Sequence, residues 1–309
     1  MSKIQAISVS DRKGVRKKNV DSAYLENDFG IKGDAHSGKW HRQVSLLAIE
    51  SVKSMQEKGL DVKSGDFAEN ITTEGIDLLA LPVGTKLDIG GVNLIISQLG
   101  KICHHRCAIY YQAGDCVMPK EGIFGVVRGE GEIKVGDAIK NLGKNGFSVG
   151  IITLSDRASK GEYEDQTGAD LEKYIQENME TSFIRRDIIA DEKEQLNHLL
   201  KDFADTQQFD LIITNGSTGV SPRDIAPDVT LPLLERRLEG FDEAMRAASF
   251  QITKSAIVSR AVCGIRKESL IINLPGSPKG AIENLSVIMP AIAHTIKKIH
   301  GDKSDCATR

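Results

Sequence analysis

The stretch Phe209–Asp224, "FDLIITNGSTGVSPRD", decides how the second half of this chain is read. Phe209–Thr214 is a short apolar run of strand length. Small residues follow at once: Gly216, Ser217, Thr218 and Gly219, then Pro222, Arg223 and Asp224. A glycine-bearing loop leaving a strand can cradle a phosphate, because backbone N–H groups approach phosphate oxygens where no Cβ intervenes. The same residues also make an ordinary turn. The spacing is neither G-x-x-x-x-G-K-[ST] nor G-x-G-x-x-G, so the two standard phosphate motifs are excluded.

Working outward, the flanking segments alternate. "FSVGIITLS" reads as a strand buried on both faces, and "TGADLEKYIQEN" carries Leu171, Tyr174 and Ile175 at helical spacing. "FIRRDIIA" reads as a strand, "DEKEQLNHLLKDFA" as a helix and "SLIINLPG" as a strand. "GAIENLSVIMPAIAHTIKKIHG" reads as a long helix kinked near Pro290. Strand–helix alternation predicts a three-layer α/β domain with a mostly parallel sheet. The first half differs. "IQAISVS", "VSLLAI", "TKLDIGGVNLIISQLG" and "EIKVGDAIK" are short β runs, with a hairpin expected at Gly90-Gly91 and one helix near "IESVKSMQEKG". This predicts a mainly β, barrel-like domain. "KNLGKNGFS", residues 140–148, reads as the linker, giving expected domains of 1–143 and 147–309.

Composition narrows the function. The chain has 309 residues, 40 % apolar and 27 % charged, with a formal net charge of −3. That charge is too small to imply a nucleic-acid partner, and no apolar run reaches the ~20 residues of a membrane span. The N-terminus lacks the apolar core of a signal peptide. Five cysteines in this length are not a disulfide framework. The expectation is a cytoplasmic protein with reduced thiols.

In an open α/β sheet, ligands bind at the carboxyl ends of the strands. Four polar loops fall there: Ser155–Gly161, Asp191-Glu192, the Gly216 loop, and Asn273–Lys279. Together they offer hydroxyls, carboxylates and cations, an inventory suited to phosphoryl or nucleotidyl transfer. Carboxylates would hold Mg²⁺ and cations would offset charge on the transferred group. Plainer readings stand beside this. Asp191-x-x-Glu194 is a capping-box-like helix start, Asp224 is placed to cap a helix beginning near Pro227, Ser155 and Asp156 could close a turn, and Asn273–Gly276 could be a strand exit.

"TLSDRASKGEYEDQTG", "TNGSTGVSPRDIAPDVT", "GFDEAMR", "AIVSRAVCGIR" and "LIINLPGSPKGAIENL", in this order across residues 147–301, resemble the molybdopterin adenylyltransferase family, the MogA/MoaB-like group that includes the gephyrin G domain. The resemblance implies transfer of AMP from ATP to the terminal phosphate of molybdopterin, with Mg²⁺, and release of pyrophosphate; the alternative is a carrier or scaffold protein that binds molybdopterin without adenylylating it. It implies a homo-trimer and a molybdenum-insertion enzyme as partner, and no pyridoxal phosphate. By position, Asp191 and Asp224 match the family's functional aspartates, acting on Mg²⁺ through substrate. Gly216, Ser217, Thr218 and Gly219 match its phosphate loop. Ser259 and Arg260 match substrate-site residues, and Ser155, Asp156, Asn273, Pro275 and Gly276 match residues of the same cleft. The family loop usually reads TTGGTG, so Asn215 and Ser217 are departures. Ser217 puts a Cβ where backbone meets phosphate, and its hydroxyl is expected to donate a compensating bond. Pro232 places the start of the next helix near Thr230.

"GIKGDAHSGKWHRQVSLLAIE", "GDFAENITTEGIDL", "PVGTKLDIGGVNLIISQLGKICHHRC" and "GDCVMPKEGIFGVVRGEGEIKVGDAI" resemble the MOSC domain over roughly residues 3–141. That resemblance implies a β-barrel-like domain that binds molybdenum cofactor or handles sulfur through a cysteine. Cys116 is the first choice for the thiol, with Cys103 and Cys107 as rivals. Lys32, His36, Arg42 and Asn70 are candidates for the pterin's phosphate or ring, or else polar surface. The cluster Cys103-His104-His105-Arg106-Cys107 with Cys116 also suits a soft metal by ligand type, although its spacing matches no standard site.

Overall fold

Runs that are apolar at every position need cover on both faces, and the second half of the chain meets that need with helices. The computed structural model describes residues 2–100, 110–111 and 116–304 and divides into two units, Met1–Asn145 and Gly146–Arg309.

In the first unit eight strands form one curled, mostly antiparallel sheet. They are β1 (Lys3–Val9), β2 (Lys18–Val20), β5 (Val44–Ala48), β6 (Ile71–Glu74), β7 (Thr85–Ile89), β8 (Val92–Leu99), β9 (Ile123–Arg128) and β11 (Ile139–Lys144), in the order β11-β7-β8-β9-β5-β6-β1-β2. Only β5 and β6 are parallel. A smaller sheet joins β3 (Ser22–Glu26), β4 (Gly30–Ile31) and β10 (Gly131–Lys134). Backbone bonds from Ile4 to Asp137 and from Ile139 to Ser2 bring the far strand back to β1, so the sheet curls on itself. Its interior holds Ile7, Val44, Leu46, Leu94 and Val127.

In the second unit six strands form one sheet. They are β12 (Phe147–Leu154), β13 (Thr181–Ile189), β14 (Leu211–Asn215), β15 (Arg236–Arg237), β16 (Cys263–Arg266) and β17 (Ser269–Leu274), in the order β13-β12-β14-β17-β16-β15. The first four in that order are parallel, and β16 and β15 add antiparallel at one edge. The expected linker is mostly strand, since β11 occupies 139–144 and β12 begins at 147. Ile151, Ile213 and Ile272 share one face and pack against helices Gln166–Asn178 and Pro278–Ile299. On the other face Phe203 lies over Gly150, where an added Cβ would sit 2.3 Å from its ring. Helix Pro278–Ile299 runs unbroken through Pro290. Helix Ala226–Thr230 begins at Ala226, before the expected Thr230, and Pro232 lies in the 3₁₀ turn Leu231–Leu233 that ends it. Proline supplies no N–H, so it closes this helix and does not open it.

Candidate active site

The four parallel strands of the second unit end level with one another. Thr153 pairs with Asn215, Asn215 with Leu274, and Leu154 with Ile189. The four polar loops therefore leave one edge together. They line a cleft of about 370 Å³ that brings together Ser155, Asp191, Gly216, Ser217, Asp224 and Gly276. A second cavity of about 260 Å³ is lined by Thr218, Gly219, Ser259 and Pro275, with helix Glu239–Ile252 along one side. The loop Gly216–Gly219 is thus a wall with one half on each cavity.

Local geometry explains the composition of that wall. Gly216 has φ +100°, and a Cβ there would lie 2.5 Å from the Leu154 carbonyl oxygen. A Cβ on Gly219 would lie 2.8 Å from Asp224 Oδ2. Ser217 has φ +58°, the left-handed region that costs an L-residue roughly 1–2 kcal/mol. Its hydroxyl donates to the Arg223 carbonyl at 3.0 Å and accepts from the Ile225 N–H at 2.8 Å. The hydroxyl proton is used inside the loop, so Ser217 stitches the loop closed and does not donate to a phosphate as expected.

Neither aspartate caps the helix that follows it. Asp224 Oδ2 accepts the Ser221 N–H at 2.7 Å, while helix Ala226–Thr230 has Ile225 at its N-cap position without a side-chain cap. Asp191 Oδ2 accepts the Asp156 N–H at 3.2 Å, while helix Lys193–Lys201 has Glu192 at its N-cap position, also without a side-chain bond. Each aspartate uses one oxygen on a backbone N–H and leaves the other without a partner among the described residues. Asp156 does not line the cleft. It accepts two short bonds from Arg223 Nη2, at 2.6 and 2.7 Å, and one from the Asp191 N–H at 3.1 Å. The Arg223 guanidinium holds the Asp156 carboxyl below the usual carboxylate range. Arg223 also pairs with Glu192 at 3.0 Å.

Two further expected residues act behind the wall. Arg260 donates from Nε to the Gly219 carbonyl at 2.7 Å and from Nη2 to the Asp224 carbonyl at 2.6 Å, and its Nη1 pairs with Asp228 at 2.7 Å. Asn273 is fully buried, donating to the hydroxyls of Thr214 and Thr230 and accepting from the Val262 N–H. It ties β17 to β14 and the following helix without lining either cavity.

A family model described as a probable molybdopterin binding domain matches residues 150–294, and the MOSC domain model matches residues 33–140. The molybdopterin adenylyltransferase of Helicobacter pylori strain J99 is 40 % identical over 155 residues, covering 50 % of this chain and 88 % of that protein. This chain belongs to the molybdopterin adenylyltransferase family. The Escherichia coli K12 molybdopterin adenylyltransferase is 37 % identical over 158 residues, covering 51 % of this chain and 80 % of that protein. The solved structure of the molybdopterin biosynthesis enzyme MoaB from Thermus thermophilus superposes with a TM-score of 0.47, at 38 % identity, covering 50 % of this chain and 98 % of that one.

Within this member of the molybdopterin adenylyltransferase family, some residues at the site went unassigned in the sequence. Tyr163 bonds Ser155 Oγ at 2.8 Å and Asp165 accepts the Thr153 hydroxyl at 2.7 Å; both line the cleft. Asp165 also caps helix Gln166–Asn178 through the Gly168 N–H. The available signal was Asp165-x-x-Gly168 ahead of a helix-periodic run, within a motif already quoted. Asp242 and Arg246 line the second cavity; their positions within "GFDEAMR" gave no separate signal.

Mg²⁺ keeps waters and takes one or two protein carboxylates plus substrate phosphates, and is seldom held in a dedicated protein cage. The donor set fits that mode. Asp191 and Asp224 both line the cleft, each has one carboxylate oxygen without a partner among the described residues, and no group of three or more metal-ligating side chains occurs among those residues.

In the MOSC-like unit the expected ligands do not share one role. Asn70 is buried; its Oδ1 accepts from Ser45 and its Nδ2 donates to the Ser8 carbonyl, so it holds strands together and is not open to a ligand. The Arg42 guanidinium lies 4.7 Å from the Trp40 ring centre and 5.7 Å from that of Phe124. His36 Nδ1 lies 3.5 Å from Asp34, and Lys32 is exposed with Glu26 at 3.8 Å. Cys116 is 9 % exposed and packs among Leu47, Met55, Phe67 and Phe124. Cys103 and Cys107, with His104 and His105, lie outside the described residues. No described helix is long and apolar enough to cross a membrane.

Proposed function

We propose that the second unit transfers the adenylyl group of Mg-ATP to the terminal phosphate of molybdopterin. A molybdopterin phosphate oxygen bonds to the α-phosphorus of ATP, the bond from that phosphorus to the β-bridging oxygen breaks, and pyrophosphate leaves with the bonding electrons. The observation that carries the reading is the shared wall: Gly216 and Ser217 line one cavity, and Thr218 and Gly219 line the other. Two substrates seated on opposite sides would meet with their phosphates along one stretch of loop backbone. The attacking phosphate is already anionic and needs no general base. The residues therefore work by positioning and charge. Asp191 and Asp224 would hold Mg²⁺, which would neutralise the polyphosphate when bound. The loop's N–H groups would take the phosphate oxygens. Arg260 fixes the loop by holding the Gly219 and Asp224 carbonyls.

The MOSC match supports a role for the first unit with the same cofactor, as a binding site or sulfur carrier. Family likeness supports a trimer through the second unit, with the adenylylated product passing to a molybdenum-insertion enzyme. The test is to incubate the full chain with molybdopterin and Mg-ATP and to follow pyrophosphate and adenylylated pterin. Wild type should form both in equal amounts, and Asp224→Asn and Asp191→Asn should each lower kcat/KM by about a hundredfold or more. Absence of adenylylated pterin with wild type rules the activity out. Full turnover by Asp224→Asn removes that residue from the mechanism.

A further inference from the structure

The cleft that holds Asp191 and Asp224 is lined mostly by polar groups, and Tyr163 is the one aromatic ring among the described residues that line it. A single exposed aromatic needs no explanation by itself. This one is held in place from two sides. Its hydroxyl bonds Ser155 Oγ at 2.8 Å, and Ser155 is itself fixed as the N-cap of the helical turn Asp156–Ser159, accepting the Ala158 N–H at 3.2 Å. The Arg157 guanidinium lies over the ring, 5.1 Å from its centre, and Glu162 holds Arg157 at 3.4 Å. The ring nevertheless stays 46 % exposed. Ordering an exposed side chain costs rotamer freedom that no burial offsets here.

The same anchor ties the ring to the carboxylates. Ser155 takes the ring's hydroxyl, and the next residue, Asp156, gives its N–H to Asp191 Oδ2 at 3.2 Å. The ring and Asp191 are thus fixed to adjacent positions of one loop, on the wall of one cleft. A nucleotide has the matching shape. Its polyphosphate takes Mg²⁺ at one end, and its base at the other end has a π face that stacks on an aromatic ring. The pterin is flat too, yet two carboxylates with free oxygens suit a Mg²⁺-bound polyphosphate better than a single phosphate. Arg157 occupies one ring face, where a cation is held by the ring's negative charge, so a base would stack on the opposite one.

We propose that Tyr163 is the base-stacking platform of the nucleotide site: the adenine of ATP lies on the ring face opposite Arg157, with the triphosphate running toward Asp191 and Asp224. This rests on the reading of Mg-ATP as a substrate. Stacking tolerates any base, so Tyr163 contributes affinity for the nucleotide and little choice between bases.

The test uses the full chain, Mg²⁺ and two probes, ATP and ribose 5-triphosphate, which lacks the base. Calorimetry without molybdopterin reads their affinities in the absence of turnover. Wild type should bind ATP more tightly by about five- to a hundredfold. Tyr163→Ala should lose most of that preference while its affinity for ribose 5-triphosphate stays within about twofold. Tyr163→Phe keeps the ring and drops the hydroxyl, and should bring ATP binding back to within about threefold of wild type. In turnover, Tyr163→Ala should raise the KM for ATP and leave that for molybdopterin. Equal binding of the two probes by wild type overturns the assignment, and this comparison needs no variant to fold. Equal weakening of both probes in Tyr163→Ala overturns it in favour of a structural tie to Ser155. A raised KM for molybdopterin alone overturns it by placing the ring under the pterin. Adenylyl transfer by wild type, with ATP binding unchanged in Tyr163→Ala, overturns this inference and leaves the proposed activity standing; base-dependent binding lost in the variant, with no adenylylated pterin from wild type, does the reverse.

Discussion

Ser217 sits under two opposing effects that two substitutions separate. Its φ of +58° costs roughly 1–2 kcal/mol relative to a relaxed backbone. Its hydroxyl makes two bonds, to the Arg223 carbonyl and from the Ile225 N–H, each worth about 0.5–1.5 kcal/mol. Ser217→Ala keeps the backbone cost and loses both bonds, so the loop should weaken by about 1–3 kcal/mol. Ser217→Gly loses the same bonds but relieves the backbone, less about 0.5–1 kcal/mol for glycine's added freedom in the unfolded chain. It should lie about 1 kcal/mol above the alanine variant, and so about 0–2 kcal/mol below wild type. Amide hydrogen exchange by mass spectrometry on the full chain, in peptides spanning residues 216–226, reads the local opening. The alanine variant should exchange about fivefold faster than the glycine variant. Equal exchange, or faster exchange in glycine, refutes the claim that Ser217 is kept as a stitch against backbone strain.

Other expectations follow from buried charges. Lys17 and Asp34 form an ion pair at 2.5 Å with both side chains fully buried. Asp34→Ala should destabilise the first unit by about 3–5 kcal/mol, since it strands the ammonium. The single tryptophan, Trp40, reports this unit's urea unfolding by fluorescence, and a loss under about 1 kcal/mol contradicts the expectation. Glu69 is buried with Oε2 unpartnered, and burial raises its carboxyl above the usual range. The folded state then holds the proton more tightly, so stability should fall as pH rises from about 4.3 toward the raised value; Glu69→Gln should lack that slope in the same Trp40 assay. Asp156 is held low by Arg223, so its tie is present at neutral pH and lost as pH falls through the lowered folded value. Carboxylate NMR titration of Arg223→Ala should show Asp156 moving back up, and an unmoved Asp156 contradicts the pairing.

Much of the second unit was legible because its signal is local. Continuous apolar runs such as "FSVGIITLS" and "SLIINL" require two covered faces, and the segments between them carry helical spacing. Strands so built are parallel, and their exits share an edge. What escaped depends on distant partners. Asp191 looked like a cap because Glu194 follows it, yet the N–H it meets belongs to Asp156, 35 positions away. Asp224 met Ser221 behind it, not the helix ahead. Pro232 shows that proline restricts a helix without fixing which side of it the helix lies on, and Pro290 lies within a helix that continues past it. In the first unit Asn70 read as a ligand-facing group, but the curl of the sheet buries it against Ser8 and Ser45.

The residues named from family likeness separate into two tasks once their partners are known. Asp191, Asp224, Gly216, Thr218 and Gly219 line the cavities. Asp156, Arg260 and Asn273 touch neither and instead hold what does: Asp156 the Asp191 backbone, Arg260 the Gly219 and Asp224 carbonyls, Asn273 the strand ends beneath. Adenylyl transfer by positioning alone tolerates little slack, since roughly 1 Å of misplacement costs on the order of a hundredfold in rate. A wall of small residues has little side-chain packing to hold it. Its rigidity has to come from hydrogen bonds to backbone carbonyls and N–H groups, which these polar side chains supply. That is why residues that line neither cavity can stand among those that carry the family likeness: the loop's shape depends on them, and so would any site that the two aspartates form beside it.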